Sequence, residues 1–137
     1  MQPDEARLAD TRAWLSKART DLRSADHALT ASPPLVEDVV FHAQQATEKA
    51  MKALPTWHDV PFRKTHSLEE LGEQCVGLHA DLLPLVDRAA PLTEYAWKFR
   101  YPGEQSLPSP QEAAEAQQTA GAIFAAVLER LPPNLRP

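Results

Sequence analysis

The stretch that most constrains this chain lies between Val36 and Leu54. Val36, Val40, Ala43, Thr47, Ala50 and Leu54 recur at alternating steps of four and three. That spacing sets them on one stripe of an α-helix. Most of the stripe is small, so a neighbouring helix can approach closely. Gln44, Glu48 and Lys52 form a second row at i, i+4 and i+8, with Gln45 and Lys49 beside it. Glu48 precedes Lys52 by one turn, the favourable order for a helical ion pair, worth about 0.2–0.5 kcal/mol on an exposed surface. The helix therefore has a dry edge, which demands partners, and an ordered polar edge.

The flanking segments have the same helical period. Leu8, Thr11, Leu15, Ala18, Leu22, Ala25 and Leu29 form an unbroken seam, predicting a long first helix over about 4–29. Trp14 flanks that seam, with Asp21 one heptad further on. Ser32-Pro33-Pro34 separates the two helices, with Ser32 as the expected cap of the second, which runs from about Pro34 until Pro55 ends it. A loop over 56–65 follows. Ser67 and Glu70 read as a capping box opening a short third helix that turns Leu68, Leu71, Cys75 and Leu78 inward. A fourth helix is expected from about Leu82, burying Leu85, Ala89, Leu92, Ala96 and Phe99, kinked at Pro91 and ending at Arg100-Tyr101-Pro102. After a loop over 103–108, Ser109-Pro110-Gln111-Glu112 caps a last helix with the seam Ala113, Ala116, Ala120, Ile123, Val127 and Leu131. Pro132-Pro133 stops it, and the tail to Pro137 is expected to fray. No segment alternates like a strand and no repeat is visible. The reading is a single all-α domain over 1–137, an antiparallel up-and-down bundle of four main helices plus one short one.

Composition narrows the function. A net charge of -5 gives no basic field over the whole molecule, so any nucleic-acid binding needs a local patch. The single cysteine, Cys75, allows no internal disulfide and is in phase with the apolar side of its helix, as a buried thiol would be. The N-terminus has no basic-then-apolar export pattern. The longest apolar run, near Ala120 to Leu128, is far short of the roughly 20 residues that span a bilayer. A soluble cytoplasmic protein with no membrane contact is expected. The five histidines show no metal-ligand spacing, and neither a phosphate loop nor a nucleophile elbow is present. No metal and no cofactor are expected.

Three stretches, in order, resemble the HEPN domain family: Phe41-His42-Ala43-Gln44-Gln45-Ala46-x-Glu48-Lys49-Ala50-x-Lys52-Ala53-Leu54, then Lys64-Thr65-His66-Ser67-Leu68, then a tyrosine followed by Arg100-Tyr101-Pro102. Ala18, Asp21, Leu22 and Ala25 match a further feature of the family's first helix. The resemblance spans about 14–102. It implies an all-helical bundle, a homodimer, and a role tied to nucleotides or RNA. Many such proteins are metal-independent RNases in which four to six residues stand between an arginine and a following histidine. From Arg100 those positions hold Gln105, Ser106 and Leu107, and none of the five histidines has an arginine at the required distance before it. No catalytic residue is therefore assigned.

What remains is a polar groove: Gln44, Glu48 and Lys52, joined by Lys64 and His66 at the start of the third helix and by Arg100 and Tyr101 at the end of the fourth. Arginine suits bidentate anion binding, and free amides at Ser67 would add to it. The same residues could instead close a buried network that fixes helix register, with Arg100 paired to Glu48 or Asp21. The resemblance favours a non-catalytic, nucleotide- or anion-binding partner of a minimal nucleotidyltransferase, in a toxin–antitoxin-like pair. A divergent RNase toxin using His66 and Arg100 is the first alternative, and a purely structural dimerisation module is the second. Trp14, Trp57 and Trp97 would supply the dimer's apolar surface.

Overall fold

A computed structural model describes residues 3–103 and 106–137. Met1, Gln2 and the Glu104–Gln105 part of the expected 103–108 loop, including one of the positions reached from Arg100, lie outside the described residues. Five α-helices follow in order: α1 Pro3–Thr30, α2 Val36–Trp57, α3 Leu68–Leu78, α4 Leu83–Ala89 and α5 Pro110–Glu129. Short 3-10 turns occupy Ala80–Leu82, Ala90–Ala96 and Pro133–Leu135, and no strand forms among the described residues. The fold is all-α, as the periodicity requires.

α2 is the central rod. Val40, Ala43, Thr47, Ala50 and Leu54 of its stripe are fully enclosed, and its apolar members form one core with Leu15 and Ala18 of α1 and with Ala113, Ala120 and Ile123 of α5. α1 runs antiparallel to both of its long neighbours: Asp21 meets Lys49 of α2, while Asp26 meets Gln117 of α5. Arg88 reaches Thr119, and Arg130 reaches Asp81, so α4 and α5 are antiparallel as well. α3 is the exception within the antiparallel bundle. The 58–67 segment carries the chain back along α2, so that His66 lies beside Gln44, Cys75 beside Met51 and His79 beside His58. α3 therefore runs in the same direction as α2, and their C-termini end side by side.

Prolines set several boundaries, and two differ from expectation. Pro55 lies inside α2, which continues two residues further to Trp57. A helical proline leaves the carbonyl four residues earlier without its amide, and that carbonyl, on Met51, accepts the Cys75 thiol at 3.3 Å. Burial pushes this thiol up to about 12, which keeps it in its donating form. At the other end, Ser32 does not cap α2. The N-cap is Leu35, without a side-chain bond, and Glu37 and Asp38 in the first turn face the positive end of the helix dipole.

The fourth helix is divided: α4 ends at Ala89, and the chain continues as 3-10 turns through Ala96, because Pro91 cannot donate within an α-helix. The change of period turns Val86, Leu92 and Phe99 into the core with Ala89, and leaves Leu85 and Ala96 only half-buried. Gly72 permits this packing, since a Cβ there would sit 2.3 Å from Val86 Cγ1. α5 has the full capping box: Ser109 Oγ accepts from the Glu112 amide, and Glu112 accepts from the Ser109 amide, both at 3.0 Å. The tail does not fray. Leu135 is fully buried, and Arg12 donates to the Asn134 carbonyl at 3.1 Å. No helix among the described residues is long and apolar enough to cross a membrane.

Candidate functional site

The polar row of α2 is enclosed rather than solvated, and Glu48, 4% exposed, is its centre. Its Oε1 accepts from Gln44 Nε2 at 3.2 Å and from His66 Nδ1 at 2.6 Å, while Oε2 accepts from Lys52 Nζ at 3.2 Å. Gln44 also donates to the His66 carbonyl at 3.4 Å and accepts from Gln45 at 2.6 Å. The buried Lys52 ammonium lies over two aromatic rings, Trp14 at 5.2 Å and Phe62 at 5.8 Å, themselves packed edge to face. Helical spacing explains the assembly. Gln44, Glu48 and Lys52 climb one face, Trp14 covers the upper end from α1, and the returning loop delivers Phe62 and His66. Among the described residues, the only buried side-chain nitrogen or oxygen without a partner is Arg7 Nε. The Glu48 cluster is thus closed on its buried side.

One edge stays open. The carboxylate accepts, so His66 donates through Nδ1, on a side chain that is 64% exposed. A histidine oriented by a carboxylate in this way can take up a proton from a bound group.

Asp21 forms a second cluster on the neighbouring strip of α2. Its two oxygens accept from His42 Nδ1 at 2.9 Å and Lys49 Nζ at 2.5 Å. The sequence places Asp21 in the family's first-helix feature and offers it to Arg100, not to His42 and Lys49. The signal that could have placed it is its position one heptad from Trp14 on α1, which puts both residues against the polar face of α2.

Arg100 pairs with neither Glu48 nor Asp21. Its guanidinium lies over the Phe41 ring at 3.8 Å. The backbone explains this placement. Phe99 takes a positive φ of 67° and is buried against Tyr95, so the turn swings Trp97, Arg100 and Tyr101 outward. Trp97 is 56% and Tyr101 76% exposed. Phe41 and Glu48 are seven residues apart, so Arg100 and His66 overlie one side of α2 roughly 10 Å apart along its axis.

Of the seven residues expected in the groove, the structure joins four: Gln44, Glu48, Lys52 and His66. Lys64 is exposed and makes no ion pair among the described residues, while Arg100 and Tyr101 form a separate exposed turn. Three of the amides expected free at the start of α3 are taken. Ser67 N–H donates to Thr65 Oγ1 at 3.0 Å, Leu68 N–H to Thr93 Oγ1 at 3.1 Å, and Glu70 N–H to Ser67 Oγ at 3.2 Å. The capping box there is half formed, because the Glu70 carboxylate turns to Arg63 instead. Trp14 and Trp57 are also engaged within the chain, Trp57 under Arg7 at 4.9 Å, which leaves Trp97 as the open indole of the three.

Comparison with known proteins agrees with this architecture. Searches of curated proteins and of solved structures find no match. The family model for the HEPN domain matches residues 11–131, from the first turns of α1 through the end of α5. The match covers the polar face of α2, the start of α3 and the exposed 97–101 turn together, and the chain belongs to the HEPN domain family.

Proposed function

We propose that this chain is a non-catalytic binder of nucleotide or single-stranded RNA, and that the exposed turn 97–101 makes the contact. One observation carries the reading: two open aromatic rings, Trp97 and Tyr101, flank an arginine in a turn held by a buried phenylalanine. Bases stack on exposed aromatic faces at about 1–3 kcal/mol each. Arg100, over the Phe41 ring and exposed, offers its N–H fork to a phosphate. His66 and Lys64, further along the same side, extend the path to a second phosphate. The Glu48 cluster serves as the frame under this surface.

Family membership supports a nucleotide- or RNA-related role. The finer reading, partnership with a minimal nucleotidyltransferase in a toxin–antitoxin-like pair, is supported by the sequence resemblance, and co-purification with such a protein encoded beside it is its test. A homodimer is part of the same proposal. Light scattering should give about twice the 15.2 kDa chain mass, and a mass of one chain at micromolar concentration contradicts it.

A second reading has its own observation. The exposed His66, oriented by the Glu48 carboxylate, is built like a general acid or base, which favours a divergent metal-independent RNase. One experiment separates the two. A fluorescent single-stranded RNA is titrated by anisotropy in the presence of chelator, and the same samples are run on a gel. We expect binding with intact RNA and a shallow salt dependence, a log–log slope of about -1.4 for two phosphate contacts. Cutting that disappears in His66→Ala would replace the binder by the nuclease. Absence of binding to both RNA and ATP would sink the proposal.

A further inference from the structure

His58 and His79 lie away from the polar face of α2, and their positions follow from the direction of α3. Each caps a helix C-terminus: the His58 amide donates to Leu54 at 3.1 Å, and the His79 amide to Cys75 at 2.8 Å. Because α2 and α3 end side by side, the two imidazoles converge, with Nε2 atoms 3.3 Å apart, ring centres 5.3 Å apart and planes inclined by 58°. We propose that His58 and His79 form a binding site for a four-coordinate divalent transition-metal ion, with Zn²⁺ the best fit.

The distances point to that geometry. Two nitrogens about 2.05 Å from a tetrahedral ion stand about 3.3–3.4 Å apart, against about 2.8–3.0 Å for adjacent positions around a square-planar or octahedral ion. Ring centres lie about 1.15 Å behind the nitrogens, so two imidazoles on one tetrahedral ion have centres about 5.2 Å apart. Both observed separations match. The surroundings favour a cation, because two helix C-termini direct their partial negative charge at the same place. Arg7 lies close enough to act on His58. Arg7 opposes the cation, and the paired helix ends offset it. No group of three or more His, Cys, Asp or Glu gathers for a metal among the described residues, so the protein supplies two ligands and leaves two positions to water or to a donor on a bound molecule. The 21-residue separation of the two histidines matches no sequence motif, so only the fold brings them together.

Isothermal titration of the tag-free chain with Zn²⁺ tests the site, with Mg²⁺ as control. We expect one Zn²⁺ per chain and no Mg²⁺ binding. His58→Ala and His79→Ala should each lower Zn²⁺ affinity at least tenfold with the helical circular dichroism unchanged, while the exposed His27→Ala leaves it intact. Co²⁺ bound to the native chain should show the intense visible bands of a tetrahedral ion, a readout that needs no variant. Absence of Zn²⁺ binding, binding that persists in both single variants, or a weak octahedral Co²⁺ spectrum would overturn the proposal and leave the pair as a ring-to-ring hydrogen bond.

Discussion

Glu48→Ala should destabilise the fold by about 3–5 kcal/mol, a large part of the roughly 5–15 kcal/mol that holds a domain together. The loss does not come from one missing contact. Glu48 is the acceptor for Gln44, Lys52 and His66 at once, and removing it leaves the Lys52 ammonium buried under Trp14 and Phe62 without a counter-charge. Glu48→Gln keeps the shape and part of the hydrogen bonding, so it should fall between. The double change Glu48→Leu/Lys52→Met removes both charges and should recover most of the stability, because an apolar pair avoids the cost of desolvating two ions. Urea denaturation of the three variants reads this directly, and an unchanged midpoint in Glu48→Ala would show that the cluster is not the frame we describe.

The second large effect is at the far end of the chain. Leu135→Ala should cost about 2–5 kcal/mol, the range for emptying a fully buried leucine site. Pro133–Leu135 forms a 3-10 turn that returns the chain to α1, where Arg12 bonds the Asn134 carbonyl and Arg19 the Pro137 carbonyl. If the tail were frayed, the substitution would leave the urea midpoint where it is.

Leu135 also shows where sequence reading stops. A single leucine between prolines has no period, so nothing in Pro132-Pro133-Asn134-Leu135 distinguishes a docked turn from a loose end. The long seams were different. Leu15, Ala18, Ala25, Val40, Ala43 and Leu54 announce their burial by spacing alone, because a helix repeats and burial follows its stripe. The polar row of α2 was half legible. Its members and their common face follow from the period, but their enclosure depends on the 58–67 loop, which brings Phe62 and His66 back over α2. The same loop sets the direction of α3 and with it the meeting of His58 and His79. Pro55 misled in the opposite sense: a proline ends most helices, yet here the Cys75 thiol stands in for the missing amide from 20 residues away in sequence. Arg100 could not be placed at all from its neighbours, since the positive φ of Phe99 decides which way it faces.

A buried frame and the exposed turn proposed to bind are separate in this fold, and Arg100→Ala tests that separation. Arg100 is exposed, pairs with no buried carboxylate and rests on Phe41. Its removal should move the urea midpoint by no more than the equivalent of about 0.5 kcal/mol. The affinity for single-stranded RNA or ATP should fall about ten- to a hundredfold, the loss of one charge-assisted contact worth about 1.5–3 kcal/mol. Calorimetric titration and a urea melt on the same protein sample give both numbers. An unchanged melt with weakened binding is the predicted result; an early melt, or affinity equal to that of the native chain, would contradict it.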